Sequence, residues 1–284
     1  MRGPKATGHT VLSYRHAFHA GNCADVLKHS ALHCLLRAAL QKPSALWYLD
    51  THAGAGRYDL GASLSRREHE GGITALRAGA DQLPPDSPLH AFLGQINALS
   101  PDHRHYPGSP QLAAAMLRPL DRAQFCELHP QDHTRLAAQF ANDPRIRVSR
   151  SDGYQALKAT LPPPQRRGLI LIDPAYELDQ EARSLIQGLR TALARFRHGT
   201  YMVWYPLQGK LDHVRLLRDF CRLEPPKTLR LNLHSVSGTS SGILVLNPPY
   251  QAQGDLARIA DELPAALGSG HSTEFDWLIP EQSL

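Results

Sequence analysis

The sequence predicts an α/β fold: a doubly wound, mainly parallel sheet of seven strands with a small helical subdomain inserted into it. Three observations carry this expectation. Short apolar runs alternate with stretches of helical periodicity along most of the chain. The runs WYLD and GLILI are apolar almost throughout, as strands covered on both faces are. Four successive runs end in polar or glycine-bearing turns. With 284 residues, 42% of them apolar and 20% charged, the chain has ample material for a core.

The elements follow in order. Residues 1–12 are polar and bear Gly and Pro, and read as a flexible tail before a domain over 13–284. CADVLKHSALHCLLRAAL (23–40) reads as an amphipathic helix ended by Lys42-Pro43. ALWYLD (45–50) is a buried strand running into the turn THAGAG. Residues 57–108, rich in Arg, Glu, Gly, Pro and His, interrupt the rhythm and form the insertion, with helical stretches TALRAGADQL and LHAFLGQINAL. Strands QFCELH, IRVSRSDG, GLILIDPAY and TYMVWYPL then alternate with helices. The helices are QLAAAMLR before the first of these strands, then HTRLAAQF, GYQALKATL, EARSLIQGLRTALARF and LDHVRLLRDFC. TLRLNLHSV and GILVLNPPY, joined by the short loop GTSS, read as an antiparallel hairpin at the sheet edge.

Composition excludes several classes. No apolar run approaches the ~20 residues needed to cross a bilayer. The N-terminus lacks the apolar core of a secretory signal, and the four scattered cysteines form no C-x-x-C pair, so a reduced cytoplasmic setting is expected. The histidines suggest no metal cluster. A net charge of +5, with 16 histidines in reserve, permits an anionic partner without requiring one.

In a doubly wound sheet, ligands bind beyond the carboxyl ends of the strands. The four strand ends here are Asp50-Thr51-His52-Ala53-Gly54-Ala55-Gly56, Glu127-Leu128-His129, Asp152-Gly153 and Asp173-Pro174-Ala175-Tyr176. Each has an ordinary structural reading, since acids at strand ends cap helices and Asp-Gly makes turns. In this order they suit a nucleoside-containing cofactor: a glycine turn for close approach, an acid for ribose hydroxyls, and a pair for an adenine edge. The loop is not G-x-G-x-x-G, which weakens a dinucleotide reading. Asp-Pro-x-Tyr offers a carboxylate and a carbonyl to accept both hydrogens of a planar amine, and an aromatic face for a flipped-out base.

SYRHAFHAGNCADVLKH (13–29), LDTHAGAGRY (49–58), YPGSP (106–110), ELHP (127–130), SDG (151–153) and RRGLILIDPAYE (166–177) together resemble the RlmJ family. The resemblance runs from Ser13 to WLIPE (277–281). It implies a Rossmann-like class I S-adenosylmethionine-dependent methyltransferase acting on the N6 of an adenosine in 23S rRNA. It further implies cofactor contacts from Lys28, His29, His52, Gly54, Gly56, Ser109, Glu127, Asp152, Gly153 and Asp173. Catalytic roles fall to Asp173, Pro174 and Tyr176, and substrate contacts to Tyr14 and His16. The expected partner is protein-free 23S rRNA or an early assembly intermediate, met by a monomer with no metal and no membrane. Where the family has Asp-Pro-Pro-Tyr, this chain has Ala175, which restores an N–H and backbone freedom.

A second tetrapeptide, Asn247-Pro248-Pro249-Tyr250, matches the general amino-methyltransferase signature better. It ends the last predicted strand, at the expected edge, so Asp173 is the expected site. Arg15, Arg57, Arg66, Arg67, Arg166 and Arg167 are expected to flank the cleft and meet phosphates, with the insertion helping to hold RNA. Two other functions fit the residues: methylation of DNA adenine or protein glutamine, and non-catalytic nucleic-acid binding.

Overall fold

A computed structural model describes residues 18–62, 67–176, 180–236 and 239–281. The predicted tail, Tyr14, Arg15, His16 and Arg66 lie outside the described residues. Asn22 caps the first helix, α1 (Cys23–Leu40), by accepting from the Asp25 amide at 2.9 Å. Strand β1 (Trp47–Asp50) follows and ends in the glycine turn. The insertion opens and closes on an antiparallel ribbon, β2 (Arg57–Asp59) against β3 (His105–Pro107), with Arg57 opposite Pro107. Between them lie α2 (Ile73–Ala78) and α3 (Pro88–Leu99), so the insertion is helical but zipped shut by strands at its base.

The αβ rhythm then runs as expected. Helix α4 (Ser109–Met116), β4 (Arg122–Cys126), α5 (Pro130–Phe140), β5 (Ile146–Ser149), α6 (Gly153–Thr160) and β6 (Gly168–Ile172) come first. Helix α7 (Glu181–Arg195), β7 (Thr200–Pro206), α8 (His213–Cys221), β8 (Thr228–Ser235) and β9 (Ser241–Leu246) complete it. Two more elements follow that the sequence reading leaves unassigned, α9 (Tyr250–Leu267) and β10 (His271–Ile279). The main sheet therefore has eight strands rather than seven, in the order β10-β8-β9-β7-β6-β1-β4-β5.

The physical reason for the extra elements is plain. Helix α9 carries Gly254 and an internal Pro264, which depress helix propensity. Strand β10 alternates polar and apolar residues and pairs with β8 alone, so it needs no apolar run. It displaces the β8–β9 hairpin from the edge. Strand β9 lies inside the sheet, antiparallel to both β7 and β8.

Side-chain alternation sorts the core onto the two sheet faces. Tyr48, Leu169, Leu171 and Met202 join α1, α9 and the insertion on one face. Leu49, Ile170, Ile172 and Val203 join α6, α7 and α8 on the other. The expectation of an amphipathic α1 is corrected by this arrangement. Of its 18 residues 15 are buried, among them Asp25, Lys28, His29, Ser30 and His33, because the insertion and α9 cover the side that would have met water. Among the described residues, no helix is long and apolar enough to cross a membrane.

The insertion docks by backbone contact. The Ile73 amide donates to the Gly21 carbonyl at 2.8 Å, and a Cβ on Gly72 would stand 2.1 Å from that same oxygen. Neither atom belongs to a flexible side chain, so the backbones must part to admit a methyl group. Gly72→Ala is expected to lower stability by about 1–3 kcal/mol, the range for forced overpacking. Chemical denaturation of both proteins checks this; an unchanged midpoint would show that the insertion is held elsewhere.

Candidate active site

The chain leaves β1 for β4 and β5 on one side, then returns to β6 and β7 on the other. This switch point opens a cleft of 1140 Å³ beyond the carboxyl ends of the strands. All the described residues predicted for the site line it except Gly56, which stands behind it with its Cβ position 2.8 Å from Leu136.

The turn after β1 is shaped by close approach. Gly54 has φ +63°, and a Cβ there would lie 2.1 Å from the Tyr58 hydroxyl, which accepts from the Ala55 amide. The Glu127 carboxylate ties this turn to the next one. Oε2 accepts from the Gly54 amide at 2.8 Å and Oε1 from the His129 amide at 2.7 Å. Burial pushes the Glu127 carboxyl up, against the pull of these two amides. Asp152 caps α6 by accepting from the Tyr154 amide at 2.8 Å. At Gly153 a Cβ would meet the Thr51 carbonyl at 2.2 Å, so only glycine lets α6 start this close to β1.

His52 is anchored through its neighbour Thr51. The Thr51 hydroxyl lies 3.0 Å from the Leu171 carbonyl and 2.8 Å from His52 Nδ1, so it ties the imidazole to the end of β6. Burial lowers the imidazole to about 4, outweighing the charges of Asp173 and Asp152. His29 lies on the inner wall, its Nδ1 2.8 Å from the Tyr106 hydroxyl and its ring stacked on that tyrosine.

Carboxylates converge on one cation. The Lys28 ammonium reaches Asp173 Oδ2 at 2.6 Å and Asp25 Oδ1 at 2.8 Å. Burial alone would pull the ammonium down, but Asp173 and Asp25 outweigh it and hold it above the ordinary lysine value. Asp25 Oδ2 also accepts from the Gly21 amide at 2.9 Å. Asp50 closes β1 beside this group. It accepts from Ser109 Oγ at 2.6 Å and Tyr48 Oη at 3.2 Å, and burial pushes it up to about 7 despite the serine's hydrogen bond.

Tyr176 is held in place rather than left free. It sits at φ +53°, unusual for a residue with a side chain, and its hydroxyl donates to the Trp204 carbonyl at 2.9 Å. Its ring packs at 5.9 Å from the Trp204 ring, which also faces the Lys28 ammonium at 5.8 Å. The Trp204 indole N–H finds no partner among the described residues.

Asp25 and Trp204 are the residues that motif reading misses. The i, i+3 spacing of Asp25 and Lys28 on one helix was the available signal. Nothing local marks Trp204. Two sequence expectations are overturned. Asn247 does not end an edge strand; it lies at the opposite end of the sheet from Asp173, because β9 runs antiparallel, and its amide donates to the Arg197 and Gly199 carbonyls. Arg166 and Arg167 precede β6 and so also lie opposite the cleft, where Arg167 donates to the Ala39 and Ser44 carbonyls. Arg57 is exposed beside His105 on the insertion ribbon, and Arg67 pairs with Glu70.

A family model described as "Ribosomal RNA large subunit methyltransferase D, RlmJ" matches residues 43–279. Ribosomal RNA large subunit methyltransferase J of Escherichia coli (strain K12) is 39% identical over 95% of this chain and 100% of its own length. The protein of the same name from Haemophilus influenzae is 38% identical over the same shares. The crystal structure of a Legionella pneumophila protein superposes with TM-score 0.84 at 33% identity, covering 91% of this chain and 98% of that one.

The state of His52 has a pH consequence. Its folded value lies below the ordinary 6.5, so the stability it contributes is complete above pH 6.5 and is lost as pH falls toward about 4. The loss approaches about 3 kcal/mol. His52→Gln, which cannot titrate, is expected to lose that much less stability than the parent between pH 7.5 and 4.5 in denaturant titrations. Equal losses would mean that the imidazole is protonated in the folded state.

Proposed function

The chain belongs to the RlmJ family of ribosomal RNA large subunit methyltransferases, and on that premise we propose that it methylates the exocyclic N6 of a specific adenosine in 23S rRNA, with S-adenosylmethionine as donor. The observation that carries the reading is Asp173, at the end of the strand beside β1, with one carboxylate oxygen held by Lys28 at 2.6 Å and the other without a hydrogen-bond partner among the described residues.

The cleft, at 1140 Å³, exceeds the roughly 300–1,000 Å³ of a single-ligand site, which leaves space for part of a nucleoside beside a cofactor. Its polar groups fit that cofactor. Glu127 would take the ribose hydroxyls, Asp152 and Gly153 the adenine edge, and the turn at His52–Gly54 the methionine end. S-adenosylmethionine supplies an electrophilic methyl group when bound.

The chain's residues prepare the acceptor. An aryl amine is planar and a poor nucleophile because its lone pair is delocalised into the ring. Asp173 Oδ1 and the Pro174 carbonyl would accept its two hydrogens, favouring a pyramidal nitrogen whose lone pair points across the cleft. Lys28, held protonated, positions Asp173 and cannot itself act as a base. Tyr176 would present its face to the extruded base, with stacking worth about 1–3 kcal/mol. The fixed ring needs no reordering on binding, because its hydroxyl is already engaged. Tyr14 and His16 complete the proposal on the substrate side.

Asp173→Ala and Asn247→Ala separate the two tetrapeptides. On protein-free 23S rRNA with labelled donor and mass mapping, Asp173→Ala is expected to lose about 100-fold or more in kcat, the scale of a positioned acceptor. Asn247→Ala is expected to keep its turnover. Loss confined to Asn247→Ala would refute the assignment, and methyl transfer only to duplex DNA or peptide would refute the substrate.

A further inference from the structure

A second groove, of 450 Å³, lies between α7 and α8 and meets the first cleft at Tyr176, Lys210 and Leu211. Its rim is basic. Arg183 and Arg190 are seven residues apart on one face of α7, about 10 Å along the helix axis. Lys210, Arg215 and Arg222 face them from the α8 side. The two acids that line it among the described residues, Asp212 and Asp219, are already engaged. Asp212 caps α8 by accepting from the Arg215 amide at 2.9 Å, and Asp219 pairs with Arg222 at 3.0 Å and Arg215 at 3.8 Å. No ion pair involves Arg183, Arg190 or Lys210 among the described residues. Ile186 and Leu216 contribute apolar surface to the lining.

We propose that this groove is a backbone-phosphate site for the RNA strand that leaves the cleft beside the target nucleotide. The inference rests on the methyltransferase reading, because it assigns the groove to the same polynucleotide. Three features point to a polyanion. Among the described lining residues positive side chains exceed acids, those acids are occupied, and the apolar lining can meet ribose and base faces. The groove also begins at Tyr176, where the substrate base would be stacked, so a strand running out of the cleft reaches Lys210 first and the α7 arginines next. Forked guanidinium groups suit phosphate oxygens, and Asp219 holds two of them in orientation. The basic residues expected from sequence to do this work, Arg166 and Arg167, sit at the other end of the sheet.

The test is Arg183→Ala/Arg190→Ala in the full chain, with binding to protein-free 23S rRNA measured across a salt series. Neither side chain is buried, so the fold should be unaffected, which a thermal melt verifies. The KM for RNA is expected to rise about tenfold, with kcat and the KM for S-adenosylmethionine unchanged. The slope of log affinity against log salt is expected to flatten by about 1.4, the loss of two single-strand phosphate contacts. Lys42→Ala/Lys158→Ala removes the same charge from elsewhere on the surface and is expected to leave both readouts unchanged. An unaltered slope and KM in the arginine variant, or an equal change in the lysine control, overturns the proposal. If the parent methylates no RNA, the function proposed above fails, while the binding series still decides whether the groove holds the strand. No RNA binding by the parent overturns both.

Discussion

The buried ammonium of Lys28 is the constraint around which the cleft is arranged. Taking a charge out of water is costly unless partners repay it, and Lys28 has two, Asp25 from its own helix and Asp173 from the central sheet. The pair to Asp173 joins α1 to β6 across the cleft mouth. Removing either carboxylate leaves the ammonium with a single partner, and removing Lys28 leaves two carboxylates facing each other. The rest follows from this placement. Because Lys28 lies in the second turn of α1, the helix must be sunk into the protein to deliver its ammonium to the strand ends. Sinking it requires a cover, and the insertion and α9 provide one. The insertion therefore serves the site without contributing most of its polar groups. Its Glu68 accepts from Asn22 at 3.0 Å and contacts His19 at 2.9 Å, pinning the segment that leads into α1.

Carboxylates and glycines in the cleft do structural and chemical work together. Glu127 bridges two loop amides and lines the cleft. Asp152 caps a helix and lines the same space. Asp50 buttresses Ser109 and crowds Asp173 electrostatically. The structural reading of each acid and the functional one are thus not rivals: a carboxylate already oriented by backbone amides loses little freedom when a ligand arrives. Gly54 and Gly153 act differently, by what they lack, letting a hydroxyl and a carbonyl approach where a methyl group would collide.

Much of this was legible locally. The four polar strand ends, their order and most of the predicted strands and helices follow from periodicity and turn chemistry, because those signals lie within a few residues of the positions they describe. Direction was not legible. Asn247-Pro248-Pro249-Tyr250 has the better motif, yet β9 runs against β7 and carries it to the far end of the sheet, where Asn247 stitches a turn. Arg166 and Arg167 fail for the same reason: a residue before a parallel strand and a residue after it are separated by the strand's whole length. The last helix and strand escaped because their identity depends on partners. Helix α9 packs on α1, and β10 is a strand only because β8 offers it an edge.

The amino-acid order alone carried the doubly wound class, the glycine turn, the acids of the cleft and the resemblance to a family, since each is written in contiguous residues. Tertiary structure decided which residues share a space. It brought Asp25, Lys28 and Asp173 together from positions up to 148 apart, moved Asn247 away, buried a helix that looked half-exposed, and opened a basic groove between α7 and α8. Such outcomes depend on strand order and direction, which arise from how two sheet faces are covered at once, and no short segment holds that information.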